Sequence, residues 1–219
     1  MAQFEICRSE GTNWVKIALH DETVRAEAGA LSYITGEVKM SSALPSFSSV
    51  IQAALAEESI LRPTYSGTGE ICLESSLGGF HIIDLKGEQW ILESGSYWAS
   101  DGNVDLSVFR EKTSTAFWTG EGLIQFQTRV GGFGKVVIRA DGPVEEVELQ
   151  NSRFLAEGKY VIGRTGDITY TVQRPTRSYF GYLLSGESYF RCFEGTGRLL
   201  VAATPYWRVR MQELSLIHI

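Results

Sequence analysis

This sequence predicts an all-β protein made from one unit used three times, and three observations carry that prediction. The tetrapeptide Ala26-Glu27-Ala28-Gly29 recurs as Leu92-Glu93-Ser94-Gly95 and as Leu155-Ala156-Glu157-Gly158, with the glycines 66 and then 63 residues apart. A second marker keeps step with the first: the Gly-x-Gly pairs Gly67/Gly69, Gly132/Gly134 and Gly195/Gly197 begin 38, 37 and 37 residues after Gly29, Gly95 and Gly158. Two markers in constant phase are the signature of an internal repeat. Third, glycine is abundant (23) and proline scarce (5), and apolar and polar residues alternate between the glycines with the two-residue period of strands. The units span about residues 1–75, 76–141 and 142–204 of a single domain over residues 1–214.

Each unit begins with a strand whose apolar face ends on a leucine. Val15, Ile17 and Leu19 share one face, and Leu19, Leu85 and Leu149 precede the corner glycines by 10, 10 and 9 residues. A polar cluster follows each time, His20-Asp21-Glu22, Lys86-Gly87-Glu88 and Gln150-Asn151-Ser152, whose composition favours turns. Apolar residues then open a second strand: Val24; Trp90 and Ile91; Phe154 and Leu155. The acid-glycine corner comes next. Only the stretch 48–57 breaks the strand pattern, with Val50, Ala53, Ala54 and Glu57 at helical spacing behind serines suited to an N-cap, so one short helix is expected there. The matching stretches 110–119 and 174–185 lack helical periodicity and read as loops. After each Gly-x-Gly a final strand follows, carrying Ile71 and Leu73, Val136 and Ile138, then Leu199 and Val201. The last of these, Arg198-Leu-Leu-Val-Ala202, is apolar on both faces, which predicts cover on both sides. The terminal segment 215–219 has no counterpart in the units and is set aside.

Composition narrows the function classes. Hydrophobic residues are 43% of the 219, and mean hydropathy is −0.06, the balance of a globular chain. No apolar run reaches the ~18 residues a spanning helix needs. The first residues show neither a basic region ahead of an apolar stretch nor an Arg-rich transit character, which leads to the expectation of a cytoplasmic protein. Cys7, Cys72 and Cys192 stand far apart without a Cys-x-x-Cys pair and read as isolated thiols. With 26 acidic against 20 basic residues the net charge is −6, which argues against a nucleic-acid partner.

Phe4-Glu-Ile, Ala26-Glu-Ala-Gly-Ala-Leu-Ser-Tyr33, Tyr65-Ser-Gly-Thr-Gly-Glu70, Trp118-Thr-Gly-Glu-Gly-Leu123 and Phe193-Glu-Gly-Thr-Gly-Arg198 follow one another in that order. With them the chain resembles the altered inheritance of mitochondria protein twenty-four family from about residue 3 to residue 203. The resemblance implies short double-stranded β-helix or sandwich modules around a pseudo-threefold axis, similar to the tryptophan RNA-binding attenuation protein. It also implies a tendency to form trimeric or ring-like assemblies. Mitochondrial members look like factors supporting inner-membrane organisation, whereas bacterial ones carry no established activity. The chain departs from the family's glycine-rich pattern at 45–58.

Candidate chemistry is sparse. Glu27, Glu93 and Glu157 would converge near an axis if the units were symmetric, giving three oxygens for a cation; the same acids beside Gly29, Gly95 and Gly158 would serve equally to hold the corner backbone. Glu58, Glu121 and Glu187 repeat in the same way, and copies of one group do not supply the opposed protonation states that acid-base catalysis uses. Gly67, Gly69, Gly132, Gly134, Gly195 and Gly197 precede no helix and lack the Lys-Ser/Thr of a phosphate loop, so they read as backbone corners. His20, His81 and His218 are unpaired, and no Gly-x-Ser-x-Gly elbow occurs. The adjacent ring pairs Tyr97-Trp98, Phe117-Trp118, Tyr179-Phe180 and Tyr206-Trp207 would each send one ring away from the face the other occupies, so that some rings are expected at the surface or in a subunit contact. Tyr179, Phe180, Tyr206 and Trp207 with Arg174, Arg177, Arg208 and Arg210 form a candidate interaction face. The expectation is a non-enzymatic scaffold or interaction protein without cofactor or metal that self-assembles, three copies being favoured. The alternatives are a module for an anionic ligand, RNA or a lipid surface met peripherally, and a metal-dependent enzyme using the repeated glutamates.

Overall fold

The computed structural model describes residues 1–41, 62–111, 125–157, 160–173 and 190–202. All regular structure among them is β: β1 (Gln3–Ser9), β2 (Thr12–Ala26), β3 (Leu31–Ser41), β4 (Thr64–Ser76), β5 (Phe80–Lys86), β6 (Trp90–Leu92), β7 (Tyr97–Asp101), β8 (Asp105–Glu111), β9 (Gln125–Gly131), β10 (Phe133–Arg139), β11 (Glu145–Glu157), β12 (Val161–Thr165), β13 (Thr169–Gln173) and β14 (Phe190–Val201). They make two antiparallel seven-stranded sheets. One runs β3-β4-β2-β7-β10-β5 with β1 beside β2, the other β11-β14-β12-β6-β9-β8 with β13 beside β14. The helix expected over 48–57 lies outside the described residues.

Local chemistry explains the first connections. Ser9 faces Thr12 across the β1-β2 hairpin, and both central residues, Glu10 and Gly11, have positive φ (50° and 76°), the backbone of a two-residue type I′ turn. The polar clusters behave differently from the expectation. Strands β2 and β11 run straight through theirs, because Asp21 (φ 67°) and Asn151 (φ 45°) sit in β-bulges instead of reversing turns, and only at Gly87 (φ 103°) does the strand break. The same local bonds fix all three places. His20, Lys86 and Gln150 donate their amides to Glu22 Oε2 (3.1 Å), Glu88 Oε2 (2.8 Å) and Ser152 Oγ (3.3 Å). The amides of Asp21 and Asn151 donate to Thr68 Oγ1 and Thr196 Oγ1, while that of Gly87 reaches the Gly132 carbonyl.

A strand with a period of two would turn its second half inside out after one extra residue unless the extra residue is a bulge. Here odd-numbered Val15, Ile17 and Leu19 and even-numbered Val24 and Ala26 are all buried on either side of Asp21. Ile83 and Leu85 precede, and Trp90 and Leu92 follow, Gly87; Leu149 precedes, and Ala156 follows, Asn151. Each leucine at the end of a first half faces the second glycine of a Gly-x-Gly: Leu19 opposite Gly69, Leu85 opposite Gly134, Leu149 opposite Gly197. The Gly-x-Gly pairs therefore lie within or between paired strands, not ahead of them. Gly67 shows why no side chain is accepted there: its φ is 131°, and a Cβ would collide with the Glu37 carbonyl of the neighbouring strand.

Three apolar clusters fill the interior. The first gathers Val15, Ile17, Leu19, Ile71, Leu73, Trp98 and Val137; the second Leu85, Trp90, Leu92, Tyr97, Val136, Ile138 and Leu200; the third Leu149, Ile168, Tyr170, Phe193, Leu199 and Val201. Strands β7 and β10 are walls between the first two: Val136 and Ile138 feed the second and Val137 the first, while in β7 Tyr97 feeds the second and Trp98 and Ala99 the first. Tyr97 and Trp98 are consequently both buried (1% and 8% exposed), each ring in a different apolar cluster. Strand β14 is the wall between the second and third clusters, and Leu199, Leu200, Val201 and Ala202 are all buried, the two-sided cover the sequence predicts.

Candidate functional site

The acid-glycine corners are tight turns at the junctions between strands. In Glu27-Ala28-Gly29-Ala30 the Ala30 amide donates to the Glu27 carbonyl (3.1 Å), and in Glu93-Ser94-Gly95-Ser96 the Ser96 amide donates to that of Glu93 (3.0 Å). Gly29 (φ 80°) and Gly95 (φ 79°) take the left-handed third position that a type II turn requires. The corners are also tied across: the Glu27 amide donates to the Trp98 carbonyl (2.8 Å) and the Glu93 amide to the Ile162 carbonyl (3.0 Å). Glu157 ends β11, and its side chain and Gly158 lie outside the described residues.

Both described acids meet buried cations. Arg62, its side chain only 4% exposed, places Nε 3.0 Å from Glu27 Oε2, donates Nη2 to Thr128 Oγ1 (3.0 Å), and lies 4.0 Å over the Tyr97 ring. Arg191, equally buried, brings Nη1 within 3.5 Å of Glu93 Oε1, which also accepts the Gln127 amide at 2.8 Å. A guanidinium in that setting needs a carboxylate and further acceptors to be tolerated, and Glu27 with Thr128 supplies them for Arg62. These partners come from strands distant in sequence. A cavity of about 280 Å³ opens here, lined by Glu27, Arg62, Ser94, Gly95, Tyr97, Val108, Gln127 and Thr128.

Tyr97 is the most perturbed ionisable group of the cavity. Burial pushes its phenol up to about 12, against the smaller opposing effects of the Ser100 hydroxyl at 2.9 Å and the nearby Arg62 and Arg25 cations. The Gln127 side chain donates to Glu93, but its Oε1 is buried without a hydrogen-bond partner. The lining offers the hydroxyls of Ser94, Thr128 and Tyr97 and no histidine or cysteine, and Thr128 and Tyr97 are engaged with Arg62 and Ser100. Among the described residues no group of three His, Cys, Asp or Glu side chains is placed to hold a metal ion.

The other candidates scatter. His20 is exposed beside the first bulge, and His81 is half-buried on β5, where burial lowers its imidazole pKa. Cys72 and Cys192 are buried, Cys7 is half-buried, and all three are free thiols. Glu58, Glu121, Glu187, His218 and the whole proposed face, Arg174, Arg177, Tyr179, Phe180, Tyr206, Trp207, Arg208 and Arg210, lie outside the described residues. Sequence reasoning missed Arg62, Gln127 and Arg191. A signal was present: they precede Gly69, Gly134 and Gly197 by 7, 7 and 6 residues, the same phase that marks the corners.

Among the described residues no helix is long and apolar enough to cross a membrane. The family model for mitochondrial biogenesis AIM24 matches residues 4–204. An uncharacterized protein of Streptococcus pyogenes serotype M6 is 21% identical over 211 residues, covering 91% of this chain and 84% of that protein. A crystal structure of a Streptococcus pyogenes protein from a structural genomics programme superposes with a TM-score of 0.72 at 17% identity, over 97% of this chain and 98% of that one.

Proposed function

The chain belongs to the mitochondrial biogenesis AIM24 family, and on that premise we propose that it is a non-enzymatic β-scaffold that acts in the cytoplasm by self-assembly and by holding other proteins. The observation that carries this reading is the fate of the repeated acids. Glu27 and Glu93 neutralise the buried Arg62 and Arg191 where strands of different units meet, so the conspicuous recurring chemistry is committed to joining backbone. A catalytic site of this composition would instead bring dissimilar ionisable groups together with their protonation states pushed apart.

The reading includes three equivalent units about a pseudo-threefold axis within one domain. Two bulges at Asp21 and Asn151 with a strand break at the matching Gly87, three leucine-glycine pairings and two like corner turns support it. A fourth correspondence is a bond that recurs in each unit: Glu74 to Ala30, Arg139 to Ser96 and Ala202 to Tyr160, amide to carbonyl at 2.7 Å in every case. Three copies of the chain in the assembly remain the favoured count. The negative net charge supports protein partners over nucleic acid. Native mass spectrometry with sedimentation velocity at micromolar concentration is the test, with a mass above one chain expected. A strict monomer that captures no partner would sink the proposal.

A further inference from the structure

The cavity between the two acid-glycine corners gathers polar atoms that the fold itself does not use. Arg62 commits Nε to Glu27 Oε2 and Nη2 to Thr128 Oγ1, and its Nη1 meets no acceptor among the described residues. Glu27 accepts that bond through Oε2 alone, leaving Oε1. Gln127, only 4% exposed, donates Nε2 to Glu93, while its Oε1 is buried without a hydrogen-bond partner. The Ser94 hydroxyl makes no hydrogen bond among the described residues. All four side chains line the same cavity.

That convergence has a chemical meaning. Polar groups in a protein interior are met by protein, by ordered water or by a ligand, and an unmet one carries its desolvation cost in full. Here the set holds two acceptors, Glu27 Oε1 and Gln127 Oε1, one donor, Arg62 Nη1, and one group that does either, Ser94 Oγ. The charges cancel. Glu27 lies 3.0 Å from Arg62, so a cationic ligand would face the guanidinium and an anionic one the carboxylate. The complementary group is neutral and both donates and accepts, which describes a hydroxyl. Val108 adds an apolar stretch of wall, suited to the C–H face of a saturated ring. The volume, about 280 Å³, lies at the lower end of ligand sites, which run from roughly 300 to 1,000 Å³. Glu27, its side chain 32% exposed against 4% for Arg62, marks the side from which solvent reaches the cavity.

We propose that this cavity binds a neutral polyol of monosaccharide size, its hydroxyls donating to Glu27 and Gln127 and accepting from Arg62, with Ser94 completing the set. Glu27 and Arg62 come from the ends of β2 and β4, whereas Ser94, Val108 and Gln127 lie between β6 and β9, so a bound ring ties these two stretches together as the Arg62–Thr128 bond does. The site lies within one chain, and binding is expected whether or not copies assemble.

The test is saturation-transfer difference NMR on the full-length protein with glucose, xylose and myo-inositol as probes and glycine as a zwitterionic comparison. Transfer to at least one of the polyols, with a dissociation constant of about 1 mM or tighter, is the expected result. Ser94→Ala gives the second corner the alanine that the first has at Ala28, and it should weaken that binding about threefold or more. Val108→Phe fills the cavity and should abolish transfer. Far-UV circular dichroism checks that both variants keep their sheets, and Ser94→Ala decides alone where Val108→Phe does not fold. Transfer to none of the polyols means that ordered water alone meets these atoms, and overturns the proposal. Binding unchanged in the folded variants places the probe elsewhere and overturns it too. Transfer to glycine without any polyol overturns the assignment of a neutral ligand.

Discussion

Arg62 shows how a single side chain joins distant parts of this fold. Its guanidinium answers Glu27 at the end of β2, Thr128 on β9 and the ring of Tyr97 on β7, so its removal strands a carboxylate and a hydroxyl together. Breaking a fully buried pair costs roughly 3–5 kcal/mol; Glu27 is 32% exposed and recovers some hydration, so Arg62→Met should destabilise by about 2 kcal/mol. Urea midpoints at constant m measure it. Glu27→Gln keeps an acceptor for Nε but leaves the more deeply buried guanidinium without its carboxylate, so it should cost at least as much, and a much smaller loss would place the Arg62 effect in packing instead. Tyr97 yields a prediction with a definite sign. Its ionised form is disfavoured in the folded protein, whose phenol titrates at about 12 against 10 when unfolded. Stability from this group is therefore intact below pH 10 and falls as pH rises from 10 to 12, by about 2–3 kcal/mol over the window. Denaturant titrations across that range should show the slope, and Tyr97→Phe should flatten it by about that amount.

Among the elements, the corners and bulges divide according to what the backbone demands. A Cβ on Gly29 would touch nothing within 4 Å, yet its φ of 80° is left-handed, so Gly29→Ala isolates the conformational cost, about 1–2 kcal/mol. Gly67→Ala adds a collision with the backbone carbonyl of Glu37 in a paired strand and should lose more than twice as much. Thermal melts of the two variants rank them, and the reverse order would mean that β3 moves aside readily. These same positions account for what could be read from the sequence. Gly29, Gly95 and the Gly-x-Gly pairs were legible because a local dihedral requirement admits few residues. The clusters at Asp21, Gly87 and Asn151 were legible as irregularities, but not which of them would be bulges: turn and bulge share their chemistry, and at Asp21 and Asn151 the choice depends on Thr68 and Thr196, 47 and 45 residues away. The partners of Glu27 and Glu93 were harder still. Nothing local to Arg62 or Arg191 says which carboxylate it will meet, because Glu27 and Glu93 lie 35 and 98 residues away and come alongside only in the folded chain.

For the whole molecule the question is whether the three proposed units would fold separately or together. A unit of roughly 65 residues would bury only about 60% of its unfolded surface and be marginal alone. Here the interior does not respect the unit boundaries. Trp98 of the middle unit completes the first cluster, Leu200 of the last completes the second, and β7 and β12 hydrogen-bond to strands of the preceding unit. Losing one unit would strip a face from its neighbour's core, so unfolding should be cooperative throughout. Trp98 reports on the first cluster and Trp90 on the second, while the third contains Tyr170 and Phe193 instead of tryptophan. Fluorescence of Trp98→Phe and Trp90→Phe variants, each compared with far-UV circular dichroism of the same sample, should give coincident urea transitions. The calorimetric and van't Hoff enthalpies should agree, at a fixed protein concentration because assembly would shift the midpoint. Each tryptophan change should displace all of its own variant's probes together. A transition that splits by unit, with one tryptophan released while the dichroism still shows most of its strand signal, would mean that the shared walls β7, β10 and β14 hold the clusters side by side without coupling them.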